Sequence, residues 1–241
     1  MLDKKPTSVL RIRTPGCLLV IVLSIYTVFQ FFVLPGLSIA EQHGTRKNVE
    51  IEEKKEKLLQ SARKQVKRGT KYNGEGYQNI RYPGGDISRE IGVCTDFIIR
   101  AFRNAGIDLQ KRLHEDAREH FDVYPMDDIW GQTRPDPNID HRRAPNLEVF
   151  FSRRAKQLPV TPLTMSHESY WPGDVVFYQR KGESYPWHVA LVSSRVNEGG
   201  IPYIYDLYPP KASGKRLLNQ FGPPSSHFRW TFKDTDSDSG S

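Results

Sequence analysis

The stretch Ile91-Gly92-Val93-Cys94-Thr95-Asp96-Phe97-Ile98-Ile99-Arg100-Ala101-Phe102-Arg103 decides how the chain is read. Phe97, Ile98, Ala101 and Phe102 recur at i, i+1, i+4 and i+5, the stripe of a helix with one buried face, and Gly106 offers a stop. Cys94 stands in the first turn of that helix, where backbone N–H groups lack intrahelical partners and the dipole is positive. That environment favours a thiolate, the form of cysteine that attacks. The bland alternative is that Cys94 packs as a small hydrophobe beside Phe97 and Ile98.

Outward toward the C-terminus the patterning changes to strands. Val175-Val176-Phe177-Tyr178 follows a Trp171-Pro172-Gly173-Asp174 turn, and His188-Val189-Ala190-Leu191-Val192 follows a polar loop. Tyr203-Ile204-Tyr205-Asp206-Leu207 and Phe228-Arg229-Trp230-Thr231-Phe232 complete the set. Helices first and strands afterwards define an α+β domain. A histidine entering a strand from a loop, as His188 does, can present its ring at the rim of a sheet. A hairpin centred at Asn197 puts Asp206 opposite His188 on the same face, where a carboxylate would orient the imidazole toward Cys94. A slip of one residue would put the two on opposite faces.

Outward toward the N-terminus, residues 47–68 read as an amphipathic helix. Ile51, Leu58, Leu59, Ala62 and Val66 share a face, acidic residues lie at the start, basic ones at the end, and Gly69 is the stop. Before it, residues 17–34 run without a charge after Lys4, Lys5, Arg11 and Arg13. The run is either a signal peptide, with Ser38-Ile39-Ala40 as the cleavage pattern, or a membrane anchor. Both place the chain from Glu41 onward outside the cytoplasm, in the periplasm or cell envelope. Cys17 lacks an apolar lipobox before it. Pro125, Gly131, Pro135, Pro137 and Pro145 make 125–147 an irregular stretch, and 233–241 reads as a disordered tail. The domain is thus expected over 41–232.

The 241 residues carry a formal charge of +7, and 37% of them are hydrophobic. Residues 1–40 hold +3 of that charge, and the rest, with 31 basic and 27 acidic residues, only +4. That excess is too small to point to nucleic acid, and no nucleic-acid motif is present, but it suits an anionic wall or membrane surface. With Cys17 inside the apolar run, Cys94 is the lone thiol of the exported part. No His-x-x-x-His or Cys-x-x-Cys pair offers a metal site, and no cofactor is required. His114-Glu115-Asp116 has the wrong spacing for three ligands on one helix face. Asp140, His141 and Arg142, in Asp140-His141-Arg142-Arg143, either line a substrate cleft or stabilise the long loop. Tyr82 is a candidate hydrogen-bond donor to an oxyanion.

Four blocks carry a family resemblance: Gly92-Val93-Cys94-Thr95-Asp96, Asn138-Ile139-Asp140-His141-Arg142-Arg143, Gly173-Asp174-Val175-Val176 and His188-Val189-Ala190-Leu191-Val192-Ser193. Together they resemble domain-of-unknown-function family 1287, which looks like a branch of the NlpC-type papain-like peptidases, over roughly residues 55–232. The resemblance implies a papain-like core with the nucleophile helix on an antiparallel sheet. It implies amide hydrolysis in peptidoglycan stem peptides through a thioester, with Cys94 as nucleophile, His188 as base and Asp206 as orienting group. A histidine often fills the third place in the commoner NlpC pattern, so Asp206 is a departure. The rival readings are a non-catalytic wall-binding or scaffolding module with the same fold, and an acyltransferase.

Overall fold

A computed structural model describes residues 39–74, 76–161 and 169–232. The apolar run 17–34 and the tail 233–241 lie outside them. Among the described residues no helix is long and apolar enough to cross a membrane. The chain divides into two compact units, Met1–Lys47 and Asn48–Ser241; in the first, the described residues 39–47 are helical.

Helix α1 runs from Ile39 to Arg68, starting earlier than the apolar stripe alone predicts, and its C-terminal half buries Leu58, Leu59 and Ala62. It ends as its sequence requires. Gly69 adopts φ +73°, its N–H bonds to Val66 O (3.0 Å), and Thr70 N bonds to Gln65 O (3.3 Å), the paired closure that glycine permits. Two short strands follow, β1 (Lys71–Tyr72) and β2 (Ile91–Gly92), then α2 (Cys94–Asn104) and α3 (Leu109–Glu119).

The stretch expected to be irregular is more ordered than its prolines imply. It holds α4 (Met126–Trp130), a 3-10 turn (Asp140–Arg142) and the start of α5 (Ala144–Arg154), which also contains Phe150 and Phe151. Pro145 does not break α5 because it occupies the first turn, where its missing N–H would have had no intrahelical partner.

After β3 (Lys156–Leu158) come β4 (Val175–Tyr178), β5 (His188–Val196), β6 (Pro202–Tyr208), β7 (Lys211–Leu217) and β8 (Ser226–Arg229). One sheet results, ordered β2-β1-β7-β6-β5-β4-β8-β3, parallel only between β1 and β2. The expected strand at 228–232 is shifted toward the N-terminus; Trp230 and Phe232 lie beyond β8, buried in the core. Alternation splits the sheet's apolar residues. Phe177, Val189, Leu191, Tyr205 and Leu207 pack with Phe97, Phe102 and Phe151 of the helices, while Val176, Ala190, Val192 and Ile204 form a smaller cluster with Leu218 and Tyr170. β7 is polar, with Gly214 at its middle: a Cβ there would lie 2.6 Å from the Tyr205 ring.

Candidate active site

The N-terminus of α2 is fastened from three sides. Val93 precedes it with extended backbone and has no side-chain acceptor, so the end relies on Asp96, whose Oδ2 accepts from Val93 N at 2.8 Å. Asp96 is itself gripped by Arg142, through Nε to Oδ1 at 2.8 Å and Nη2 to Oδ2 at 3.1 Å, with both side chains buried. Thr95 Oγ1 donates to Arg142 O at 2.7 Å. On the other side Arg100 forks onto Asp86 and onto the carbonyls of Ile91 and Ser88, holding the approach loop to the helix. Gly92 suits this crowding, since a Cβ would lie 3.0 Å from the Asp96 Cβ and 3.2 Å from Arg100 Nη1, and those neighbours would have to give way slightly. Cys94 therefore begins a helix whose first turn has little freedom, and the residue is 8% exposed.

His188 is the first residue of β5, paired with Tyr178 on β4. Its ring is enclosed by Tyr178, Trp187, Tyr208 and Phe221, with centroids 4.6–5.9 Å away. Its Nε2 meets Asp206 Oδ2 at 2.9 Å, and the ring lies close enough to Cys94 for the thiol to act on its titration. Burial, the largest single influence, would lower the His188 pKa. The hydrogen bond to Asp206 and then the influence of Cys94, with the Asp206 charge, outweigh it and raise the value to about 9. The Asp206 carboxylate therefore favours the charged form of the ring against the burial that opposes it.

Asp206 is fully buried, and its other oxygen accepts from Arg216 Nη1 at 2.6 Å. Arg216 also donates to the carbonyls of Tyr208 and Pro209. The carboxylate is thereby held between a ring and a guanidinium. The hairpin geometry differs from the expected one in detail. Leu191 pairs with Tyr205, so one step outward Asp206 faces Ala190 rather than His188, and a bulge lies between Val192 and Val196. The displacement is two residues, an even number, so His188 and Asp206 keep a common face and meet diagonally.

The other expected residues lie in different surroundings. Tyr82 stands edge-on to His114, centroids 5.0 Å apart. Asp140 is buried beneath its own loop, accepting from Asp136 N (2.5 Å), Gln132 Nε2 (3.1 Å) and Arg143 Nη1 (3.3 Å). His141 is buried, and burial, then the charges of Arg142 and Arg103, lower its pKa to about 3. Arg142 grips Asp96, yet it also borders, with Tyr77, Val93, Ile139 and Arg143, a cleft of about 300 Å³ beside the start of α2.

Two members of the site lie outside the sequence reading. Arg216 sits on β7, whose polar composition hides the strand. Tyr72 pairs in register with Gly92, two residues before Cys94, and its phenol pKa is raised by burial, then by the charges of Cys94, Tyr208 and Asp96. Among the described residues no group of three or more His, Cys, Asp or Glu side chains is placed to hold a metal ion.

The fold and site define an α+β protein that carries a buried Cys–His–Asp constellation at the junction of a helix start and a sheet. The chain belongs to the family described as "Domain of unknown function (DUF1287)", which matches residues 59–230. It is similar to the "Uncharacterized protein YijF" of Escherichia coli (strain K12), 39% identical over 147 residues, which are 61% of this chain and 68% of that protein. Among solved structures it is similar to a Staphylococcus aureus (subsp. aureus Mu50) protein described as similar to lipoprotein, NLP/P60 family. The identity there is 15% and the TM-score 0.39; the match covers 75% of this chain and 42% of the other.

Proposed function

We propose that the protein is a cysteine hydrolase of the bacterial cell envelope that cleaves amide bonds in peptidoglycan stem peptides. The observation that carries this reading is the grouping of Cys94, the first residue of a helix, with His188, whose titration it influences and whose ring is bonded to the buried Asp206. A helix starting at the nucleophile and packed on a largely antiparallel sheet, with the imidazole at the start of a central strand, supports a papain-like core. The charge-free run 17–34 behind four basic residues supports export, by a cleaved leader or an anchor.

In this mechanism the thiol proton resides on His188. The Cys94 thiolate attacks the amide carbon, and the oxyanion takes hydrogen bonds from the Cys94 backbone N–H and from Tyr72, paired with Gly92 two residues before it. His188 then gives its proton to the leaving nitrogen, and the C–N bond breaks to leave a thioester. Water attacks that thioester, His188 takes up a proton from the water, and the free acid departs, restoring the Cys94 thiolate beside the protonated ring. Asp206, steadied by Arg216, fixes which ring nitrogen faces the sulfur. The cleft bordered by Val93, Tyr77 and Arg142 takes the substrate beside the nucleophile.

The test is digestion of purified sacculi with the wild-type protein and with Cys94→Ala, reading released muropeptides by mass spectrometry. New amine and carboxyl ends are expected from the wild type alone. Identical fragments from both proteins would remove the hydrolase reading.

A further inference from the structure

A second cavity, of about 440 Å³, opens between α1, the loop before β2 and the far half of α2. Its volume is in the range of small-ligand sites. Five cationic side chains line it: Lys64 and Arg68 from α1, Arg89 from the loop, and Arg100 and Arg103 from α2. Arg100 and Arg103 are held by Asp86 and Asp108. The other three are loosely engaged. Lys64 touches the neutral Gln60 at 3.5 Å, Arg68 lies 3.7 Å from the exposed Glu90, and Arg89 forms no ion pair among the described residues. Even with Asp86, Asp108 and Glu90 counted against the five, two positive charges remain.

The wall also holds two buried polar atoms without a hydrogen-bond partner, Gln65 Oε1 and Arg103 Nε. Gln65 is 3% exposed, and its Nε2 donates to Phe97 O at 3.0 Å, which fixes the amide with its oxygen as the free acceptor. Both atoms are closed off from solvent, so the wall must shift for a ligand to reach them; a ligand that then satisfies both presents an acceptor to Arg103 and a donor to Gln65. An ammonium donor is disfavoured by the surrounding cations, so the donor is a hydroxyl. Three loosely held cations from two elements, Lys64 and Arg68 one helical turn apart, suit the several oxygens of a phosphate better than the two of a carboxylate.

We propose that this cavity binds a phosphate ester of a hydroxylated carbon scaffold, a polyol phosphate. Such a group occurs free, on wall polymers or as a phospholipid headgroup. Arg100 and Arg103 follow Cys94 by six and nine residues, about 9 and 14 Å along the helix, so the cavity is a separate place from the active site. The proposal stands independently of the hydrolase reading.

Calorimetric titration of the full chain with glycerol 3-phosphate tests it, with methyl phosphate and glycerol as comparisons. Saturable binding of glycerol 3-phosphate is expected, with methyl phosphate several-fold weaker and glycerol silent. Charge reversal at two exposed positions, Lys64→Glu with Arg89→Glu, is expected to weaken binding on the order of a hundredfold, while Cys94→Ala binds as the wild type does. Retention on vesicles of phosphatidylglycerol in phosphatidylcholine that the reversal abolishes would assign the ester to a lipid headgroup. Binding of the soluble ester without such retention would assign it to a free or wall-borne one. Methyl phosphate binding as tightly as glycerol 3-phosphate would overturn the polyol assignment. The proposal fails outright if the wild type neither titrates with the ester nor shows reversal-sensitive vesicle retention, or if the reversed protein binds equally.

Discussion

Replacing Asp206 by asparagine tests the proposed division of labour between thiol, imidazole and carboxylate without knowledge of the substrate. The amide keeps the shape of the carboxyl group but removes the charge that His188 and Arg216 share. Of the influences that raise the His188 pKa to about 9, the hydrogen bond to Asp206 is the largest, and burial opposes them all. Without the anion only Cys94 still opposes burial, so the ring should fall toward its ordinary value of 6.5; a full return is a loss of about 3 kcal/mol of imidazolium stabilisation. At pH 7 the ring would fall from about 99% protonated toward about a quarter, by the relation between pKa and occupancy. The introduced amide also presents a donor or an acceptor to the ring according to its orientation, so the tautomer is no longer fixed. Turnover should drop by roughly two to four orders of magnitude. Arg216 keeps its two backbone acceptors and some solvent contact, which should hold the stability cost to about 2–3 kcal/mol. The assay is a pair of measurements on folded protein: the His188 titration by NMR, and the alkylation rate of Cys94 by iodoacetamide at pH 7. The reasoning is refuted if His188 titrates in the variant as in the wild type, or if the alkylation rate is unchanged.

Arg142→Met should destabilise the protein by about 3–5 kcal/mol, because it leaves the buried Asp96 carboxylate with only the Val93 N–H; a denaturation midpoint within error of the wild type would contradict that. Gly214→Ala should cost about 1–3 kcal/mol through the clash with the Tyr205 ring, with alkylation of Cys94 little affected. Stability should fall at both ends of the pH scale. The raised His188 contributes stability that is complete below pH 6.5 and lost as pH rises through about 9. The depressed His141 contributes stability that is present above 6.5 and lost as pH falls toward about 3. Thermal unfolding against pH should show a shallower acid limb in His141→Gln, and coincident limbs would argue against that role.

What could be read in the chain beforehand follows from locality. α2 declares itself by its own stripe, and β4, β5 and β6 by their apolar runs between turn residues. Asp206 was reachable because strand parity is robust: an error of two residues in register leaves every side chain on its face. The missing parts depend on distant or polar partners. Tyr72 lies in a two-residue strand with no pattern to detect, and it becomes relevant only through its parallel pairing with Gly92. β7, Lys-Ala-Ser-Gly-Lys-Arg-Leu, carries too few apolar residues to announce a strand, so Arg216 stays hidden with it. Arg142 and Asp96 belong to separate sequence blocks, each legible as distinctive. Only the folded chain shows that the two blocks are bonded to each other across 46 residues.

The molecule contains a control for its own site. Asp174 receives His227 Nε2 at 2.7 Å and Arg229 through Nε and Nη2, also at 2.7 Å. That is the same histidine–aspartate–arginine triplet as His188, Asp206 and Arg216, and it is as deeply buried. Yet His227 spends its other nitrogen on Pro159 O and its face on the Tyr170 ring, so it orients nothing beyond itself. Its role is to tie β8 to the turn before β4, for Asp174 also accepts from Trp171 N. A histidine clasped by a carboxylate can therefore be a structural fastening alone, as His227 is. What sets the His188 triplet apart, and carries the proposed chemistry, is its neighbour: a sulfur on the first residue of a helix, close enough to act on the ring. The sequence around His188 cannot supply that neighbour; Gly92, Asp96 and Arg142 supply it by fixing where α2 begins.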